Sequence, residues 1–335
     1  MTPKIIEKKV FDKTIVKWLK SYDVIAPVSS KEGTRFKRIS DPKEIEIDGN
    51  QNTIYPPKNV FLPQSEVLFN IKNDIYEMPA QQPRKKILFG ARPCDARAVW
   101  LLDTIFNKAE DFDIYWGKKR EHALVISFGC TSICSNGFCD TVGSGPFGKD
   151  GSDILITELE DAFYLEPFTN GGEKLIKSLP EADETHKKKV KSIQKGSVIK
   201  EHQKADLSKI REKLYEKFDT SIWKDVSESC LGCGICTYLC PTCFCFDIVD
   251  EVERSERVRN WDTCMFRVYS AEASGHNPRP SKAERTRQRI MHKFAYWVDN
   301  EKASGCTGCG RCVSQCPVNL DIREMVQEIT SLKIQ

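Results

Sequence analysis

The sequence contains no long apolar run, and this absence excludes one broad class of protein. No window approaches the ~18 consecutive apolar residues that a membrane-spanning helix requires. The first nine residues mix acidic and basic side chains, where a secretory signal would place an apolar segment. We therefore expect a cytoplasmic protein with no membrane span.

A strong excess of charge of either sign is also missing. The 335 residues include 51 Lys and Arg against 48 Asp and Glu, which leaves a net charge of +3. Proteins that bind nucleic acid through bulk charge are strongly basic. The sequence therefore predicts no nucleic-acid partner, and its length leaves room for two domains.

A dinucleotide-binding fingerprint is missing as well, although a string resembling one occurs. Gly143, Gly145 and Gly148 fit the pattern G-x-G-x-x-G, but Pro146 lies inside it and a turn-forming segment follows. The fingerprint requires a strand before it and a helix after it. We read this string as a tight loop and predict no flavin or nucleotide in this chain.

Cysteine, by contrast, is abundant, with 15 residues in the chain. In a secreted protein this number would indicate disulfides, whereas in a cytoplasmic protein it indicates metal. Eight of the cysteines form two copies of the pattern C-x2-C-x2-C-x3-C-P, at residues 230–241 (the first string) and 306–317 (the second string). Seven of the twelve positions are identical, and each of those is Cys, Gly or Pro.

This spacing is typical of proteins that hold two [4Fe–4S] clusters, in which the fourth Cys of each string binds the cluster of the other. The first cluster is therefore expected on Cys230, Cys233, Cys236 and Cys316, and the second on Cys306, Cys309, Cys312 and Cys240. The alternative is a pair of zinc sites. Zinc is usually held by four ligands brought together as two C-x2-C pairs, a scheme with no use for three close Cys followed by C-P.

Four more cysteines follow two strand-like segments in the first half of the chain. Cys94 comes after the apolar run 86–90, and Cys130 after the run 123–128, with Cys134 and Cys139 in the same loop. Open α/β sheets carry their sites at the carboxyl ends of strands. We predict a third [4Fe–4S] cluster on these four thiols, with Asp95 or Asp140 as a substitute ligand. The alternative is that some are buried free cysteines.

Cys243, Cys245 and Cys264 are left over once two clusters are filled. They are interpreted as packing cysteines beside a cluster, or as ligands of something further. A basic segment at 282–293 has three readings: a solvated helix, a source of positive charge that favours cluster reduction, or a docking face for an acidic partner.

The order of these patterns predicts the fold. Strand-like and helix-like segments alternate up to a highly charged stretch that ends near residue 217. We expect an α+β (α/β-like) domain at 1–218, which carries the third cluster site, followed by a mostly α-helical, ferredoxin-like two-cluster domain at 219–335.

Taken together, these motifs resemble a known family, the iron–sulfur beta subunits of cytosolic sulfhydrogenases (hydrogenase/sulfur reductases) and the related iron–sulfur subunits of anaerobic sulfite reductases. The resemblance covers nearly the whole chain. Besides the two strings it includes Gly90-Ala-Arg-Pro-Cys94-Asp95, Pro241-Thr-Cys243-Phe-Cys245 and Trp261-Asp-Thr-Cys264. It implies an electron-transfer subunit between a flavin subunit that handles NAD(P)H and a catalytic subunit, of hydrogenase or sulfite reductase type, in a hetero-oligomer.

The residues favour the same function, because clusters alone move single electrons and substrate chemistry needs a further cofactor. The first alternative is a self-contained reductase with an unusual cluster, in which Cys94 and Asp95, or Cys243 and Cys245, face the substrate. The second is a zinc-stapled structural adaptor.

Overall fold

In the computed structural model, the structure describes residues 1–47, 52–73, 75–79, 84–132, 134–197, 207 and 209–331. The chain divides into two compact units, each built from separated segments. Unit 1 contains Met1–Phe61, Ala80–Ser135 and Ser144–Glu201, and unit 2 contains Leu62–Pro79, Asn136–Gly143 and His202–Gln335. No helix in the described part of the chain has the length and apolar character needed to cross a bilayer.

The regular elements follow one another as short strands and helices. The strands are β1 (Lys4–Glu7), β2 (Asp23–Val28), β3 (Arg35–Arg38), β4 (Ser65–Lys72), β5 (Ile75–Glu77), β6 (Lys86–Ala91), β7 (Ala123–Phe128), β8 (Ile154–Glu158), β9 (Ala162–Pro167), β10 (Phe246–Glu251) and β11 (Glu256–Trp261). The α-helices are α1 (Lys8–Leu19), α2 (Pro93–Phe106), α3 (Ile114–Glu121), α4 (Asn170–Ile176), α5 (Glu184–Gly196), α6 (Ile210–Glu216), α7 (Ile222–Asp225), α8 (Ile235–Tyr238), α9 (Lys282–Met291), α10 (Trp297–Glu301), α11 (Arg311–Ser314) and α12 (Ile322–Ser331). Single 3-10 turns lie at Pro42–Glu44, Pro57–Val60 and Arg267–Ser270, and a π-helical turn lies at His292–Tyr296.

Unit 1 is organised around a sheet with the strand order β1-β9-β8-β7-β6-β2-β3. The central pairs β2/β6, β6/β7 and β7/β8 are parallel, and the outer pairs are antiparallel. Parallel strands buried on both faces have nearly continuous apolar sequences, and Lys86–Ala91 and Ala123–Phe128 show this. Phe11, Trp18, Phe89 and Phe128 belong to its core.

Unit 2 combines helices with a second sheet, in which the strand order is β10-β11-β4-β5 and every pair is antiparallel. Its core lies among α6, α7, α9 and α12, and includes Trp223, Ile290, Phe294 and Ile329. The loop Asn136–Gly143 contributes Phe138 and Val142 to the same core.

The prediction of a mixed α/β chain is confirmed, whereas a mostly helical C-terminal domain is not confirmed, because β10 and β11 lie within 219–335. Charged pairs obscured the signal of these strands in the sequence. Arg257 on β11 pairs with Asp250 on β10 at 2.6 Å, and Arg259 pairs with Glu66 on β4 at 2.7 Å. The boundary at residue 218 stays a sequence-based prediction.

Candidate metal centre

The two cysteine strings have the same local backbone. Gly234 (φ 78°) and Gly310 (φ 75°) are the N-caps of α8 and α11, and Gly232 (φ 68°) and Gly308 (φ 65°) come two residues earlier. All four φ angles lie in the left-handed region that residues with a Cβ avoid. The repeated glycines therefore fold each string into the same tight loop followed by one helical turn.

Backbone N–H groups point at the sulfur atoms in both strings. The N–H of Gly232 donates to Cys230 Sγ and that of Gly308 donates to Cys306 Sγ, each at 3.4 Å. The N–H of Leu320 donates to Cys316 Sγ at 3.2 Å. These N–H groups therefore face the sulfur atoms that would carry negative charge as cluster ligands.

One cavity brings together the first three cysteines of the first string and the last cysteine of the second. Cys230, Cys233, Cys236 and Cys316 line it, and Cys312, which the crossed pattern assigns to the other cluster, also reaches its wall. Much of its remaining wall is apolar and includes Ile290 and Leu320, and the buried Arg289 also reaches it. The four thiols named by the crossed pattern thus share one apolar cavity.

The other four thiols lie close enough to influence one another's titration. Burial raises the pKa of Cys306 to about 12, and neighbouring Cys240 and Cys309 add to the shift. Burial likewise raises the pKa of Cys312, whose neighbours include Cys309, Cys306 and Cys240. Cys240, from the first string, therefore lies near Cys306 and Cys312 of the second. Its Sγ is 3.2 Å from Thr242 Oγ1.

Two buried cations lie beside these thiols. Lys293 is 1% exposed and Arg289 is 7% exposed. Lys293 Nζ donates to Thr242 Oγ1 at 2.6 Å, and Arg289 Nη2 donates to the carbonyl of Cys236 at 3.0 Å. Burial by itself lowers the pKa of Lys293, but the charge interactions with Cys240, Cys243 and Cys306 outweigh it, so the pKa is raised.

These cations provide a test of whether the residues fit an iron–sulfur cluster. Within the described ranges, neither Lys293 nor Arg289 pairs with a carboxylate, and Arg289 Nε has no hydrogen-bond partner. A buried charge without a counter-ion is costly. A cluster held by four thiolates is an anion, so the donor set and the charges around it fit such a cluster.

The remaining thiols of unit 2 form two hydrogen-bonded pairs. The Cys243 thiol donates to Cys240, which lowers the pKa of Cys240 despite its burial. The Cys264 thiol and backbone N–H and the Tyr269 hydroxyl all donate to Cys245. Cys245 and Cys264 are half-buried and Cys243 is buried. No sequence pattern singles out Tyr269, since nothing in its spacing marks a partner for Cys245.

The thiols assigned to a third cluster fall in both units. Cys94 lies in the first turn of α2, with Asn52 Nδ2 3.6 Å from its sulfur. Cys130 and Cys134 follow β7 in unit 1, and burial raises the pKa of Cys130 to about 11 while Arg92 opposes the shift. Asp95 is 1% exposed. Cys139 belongs to unit 2. The four-cysteine site stays a prediction.

Cys139 packs against the second string. The N–H of Phe138 donates to the carbonyl of Gly308 at 2.8 Å. A Cβ at Gly308 would lie 2.5 Å from the backbone nitrogen of Cys139, and one at Gly310 would lie 2.4 Å from the carbonyl oxygen of Asn136. The loop Asn136–Gly143 therefore requires glycine at both positions.

A single-ion centre is not formed by the thiols as they stand. Among the side chains that the structure describes, no three His, Cys, Asp or Glu converge on a point where one metal ion could bind.

The glycine string that resembles a dinucleotide fingerprint forms a turn at Gly145–Gly148. The N–H of Gly148 donates to the carbonyl of Gly145 at 3.1 Å.

Comparison with known proteins supports the presence of iron–sulfur clusters. Residues 229–320 match the family described as a 4Fe-4S dicluster domain. The chain is 30% identical over 319 residues to the sulfhydrogenase 2 subunit beta of Pyrococcus furiosus, and the match covers 91% of this chain and 92% of that relative. No solved structure matches it. The chain is thus an iron–sulfur protein of the 4Fe-4S type, and it belongs to the family of sulfhydrogenase beta subunits.

Proposed function

We propose that this chain is the iron–sulfur electron-transfer subunit of a hetero-oligomeric oxidoreductase of the sulfhydrogenase type. It would relay electrons between a subunit that binds a flavin or NAD(P)H and a catalytic subunit of hydrogenase or sulfite/sulfur reductase type. The likeness to a subunit named beta supports the hetero-oligomer. The high cysteine content supports a reducing, cytoplasmic location.

The observation that carries the proposal is the crossed grouping of the thiols. We assign one [4Fe–4S] cluster to Cys230, Cys233, Cys236 and Cys316, which line one cavity together with Cys312 of the other set. We assign the other to Cys306, Cys309, Cys312 and Cys240. Bound there, a cubane cluster accepts and releases one electron at a time.

The protein's own residues have three tasks in this function. The glycine N–H groups hold the thiolates, as at Cys230 and Cys306. Apolar side chains such as Ile290 form much of the wall of the first site. Lys293 and Arg289 place positive charge beside the sulfurs, which stabilises added electrons.

The test is the iron, zinc and acid-labile sulfide content of protein purified without oxygen, together with EPR of the reduced form. About 8 iron per chain, at four per cubane, is the result expected for the two string clusters. About 12 would add the cluster predicted on Cys94, Cys130, Cys134 and Cys139. Zinc without sulfide would refute the proposal and favour a structural adaptor.

A second measurement tests the relay itself. The isolated chain should take up electrons from a chemical reductant yet turn over neither sulfite, sulfur nor hydrogen. Turnover by the isolated chain would instead indicate a self-contained reductase.

A further inference from the structure

Two cysteines outside both string-cluster ligand sets lie at one end of the β10–β11 hairpin. Phe246 opens β10 opposite Trp261, the last residue of β11. One position beyond them, the N–H of Asp262 donates to the carbonyl of Cys245 at 3.0 Å, so the ladder continues outside the strands. Cys264 follows two residues later. The hairpin therefore fixes both cysteines on neighbouring backbone segments.

The two thiols lie within hydrogen-bond reach of each other. The thiol and the backbone N–H of Cys264 both donate to Cys245, and so does the hydroxyl of Tyr269 from the 3-10 turn Arg267–Ser270. The pair is not joined by a disulfide. A disulfide needs two side chains that face each other, and the ladder hydrogen bond at Cys245 together with the hydrogen bond between the thiols favours that arrangement.

The segment around Cys264 is anchored to the first string. Thr237 Oγ1 donates to Thr263 Oγ1 at 2.5 Å, and a Cβ at Gly234 would lie 2.9 Å from Thr263 Cγ2. Met265, on the other side of Cys264, lines the cavity of Cys230, Cys233, Cys236 and Cys316. The thiol pair thus adjoins the first candidate cluster site.

The surroundings make one member of the pair the nucleophile. The hydrogen bond from Cys264 is the largest of several contributions that lower the pKa of Cys245 to about 6. The Cys264 hydrogen bond with Cys245 and its own burial raise the pKa of Cys264. Disulfides form and open through attack by a thiolate. Both residues are half-buried, so a small redox reagent can reach them.

We propose that Cys245 and Cys264 are a two-electron dithiol–disulfide couple that exchanges electrons with the clusters of the two strings. This inference rests on the proposed function, because those clusters are its electron donors and acceptors. It goes beyond a relay of single electrons, since the chain would also store an electron pair.

In the oxidising direction, Cys245 and Cys264 lose their two thiol hydrogens as protons to solvent, and one S–S bond forms. The two electrons released reduce two oxidised clusters by one electron each. In the reverse direction two reduced clusters each give up one electron, the S–S bond breaks, and two protons are taken up. Protein dithiol couples lie at about −120 to −300 mV, within the ~−700 to +450 mV range of iron–sulfur clusters.

The first experiment measures the couple directly in the full-length, cluster-loaded chain. The protein is equilibrated without oxygen in glutathione buffers of graded potential, quenched with acid, alkylated with iodoacetamide and mapped by mass spectrometry. We expect Cys245 and Cys264 to pass together from two alkylated thiols to one disulfide-linked peptide pair. Cys264→Ser should abolish that pair, with Cys264→Ala as the substitute if the serine variant does not fold.

The second experiment asks whether the couple is connected to the clusters. In an anaerobic titration followed by EPR, the wild-type chain should take up two more electrons than Cys264→Ser, with equal iron content and equal cluster signals. Tyr269→Phe keeps the ring and removes one hydrogen bond to Cys245, so alkylation of Cys245 near neutral pH should slow several-fold.

Three outcomes would overturn the inference. The first is that Cys245 and Cys264 are alkylated as free thiols at every potential. The second is that the wild-type chain and Cys264→Ser take up the same number of electrons. The third is that Cys264→Ser loses iron, which would make Cys264 a ligand. A chain without iron and sulfide would instead refute the proposed function, and the alkylation experiment would still report on the thiol pair.

Discussion

The two cysteine strings have nearly the same backbone but different surroundings. The residue after the first Cys is Leu231 in one string, 67% exposed, and Thr307 in the other, 2% exposed. The residue after Gly234 is the half-buried Ile235, whereas the residue after Gly310 is the buried Arg311. The duplicated residues thus supply the proposed ligands, whereas the residues between them determine how exposed each string is to solvent.

The loop Asn136–Gly143 covers the second string and explains much of this difference in exposure. The backbone of the loop Asn136–Gly143 lies on Gly308 and Gly310, whereas in the first string the nearest neighbour is Met265 for Gly232 and Thr263 for Gly234.

The buried cations are also unevenly placed. Lys293 interacts electrostatically with Cys240 and Cys306, which are both assigned to the second cluster. Arg289 interacts with Cys236, assigned to the first cluster, and with Cys312, assigned to the second. The charge of Lys293 therefore acts mainly on one site, while that of Arg289 is shared between the two.

The largest expected effect comes from removing a ligand across the two strings. Cys240→Ala and Cys312→Ala should damage the same cluster although they change different strings, and Cys236→Ala should damage the other. Each variant should lose up to about four iron per chain. EPR of the reduced proteins identifies the missing signal. Loss of the same signal in Cys240→Ala and Cys236→Ala would disprove the crossed assignment.

The next largest effect is the difference in stability between two variants at equivalent glycines, Gly308→Ala and Gly232→Ala. Both force a Cβ into a left-handed backbone, at about 1–2 kcal/mol. At Gly308 that Cβ would also lie 2.5 Å from Cys139 N, whereas at Gly232 its nearest neighbour is Met265 O at 3.5 Å. Overpacking adds roughly 1–3 kcal/mol, so Gly308→Ala should be the less stable protein in anaerobic denaturant unfolding. Equal stabilities of the two variants would mean that the loop backbone at Cys139 moves away from the added Cβ at no cost in free energy.

Much of the cluster domain could be anticipated because ligand spacing is a local property of the sequence. The residues around Gly234 and those around Gly310 adopt the turn that C-x2-C-x2-C requires. Lys293 was harder to interpret, because a Lys in a basic segment usually faces water, and only tertiary packing buries it. The β10–β11 hairpin was missed, because charged residues such as Asp250 and Arg257 interrupt the apolar positions of its strands. The position of Cys139 in unit 2 depends on the path of the whole chain, which no local pattern encodes.

A smaller effect is expected when the buried ammonium group is removed. Lys293→Met should lower the reduction potential of the cluster on Cys306, Cys309, Cys312 and Cys240, since less positive charge stabilises the added electron. At an effective dielectric constant of about 20 and a separation of ~8 Å, one charge contributes about 2 kcal/mol, or ~90 mV for one electron. Potentiometric EPR measures the shift. Lys282→Met, on the exposed start of α9, is the matched control and should leave both potentials nearly unchanged. An equal shift of both clusters would show that Lys293 does not distinguish them.

The smallest expected effect concerns access from solvent, and it follows from the same asymmetry. Cys233 is exposed while its counterpart Cys309 is half-buried, and Leu231 is open where Thr307 is covered. A small oxidant such as ferricyanide should therefore destroy the cluster on Cys230, Cys233, Cys236 and Cys316 several-fold faster than the other cluster. The decay of each EPR signal measures the two rates. Leu231→Ser should change this ratio little, because the side chain is already exposed. Gly308→Ala should narrow it, because displacing the loop at Cys139 opens the second site. If the two signals decayed at one rate in the wild-type chain, the cover over the second string would not restrict the approach of small molecules.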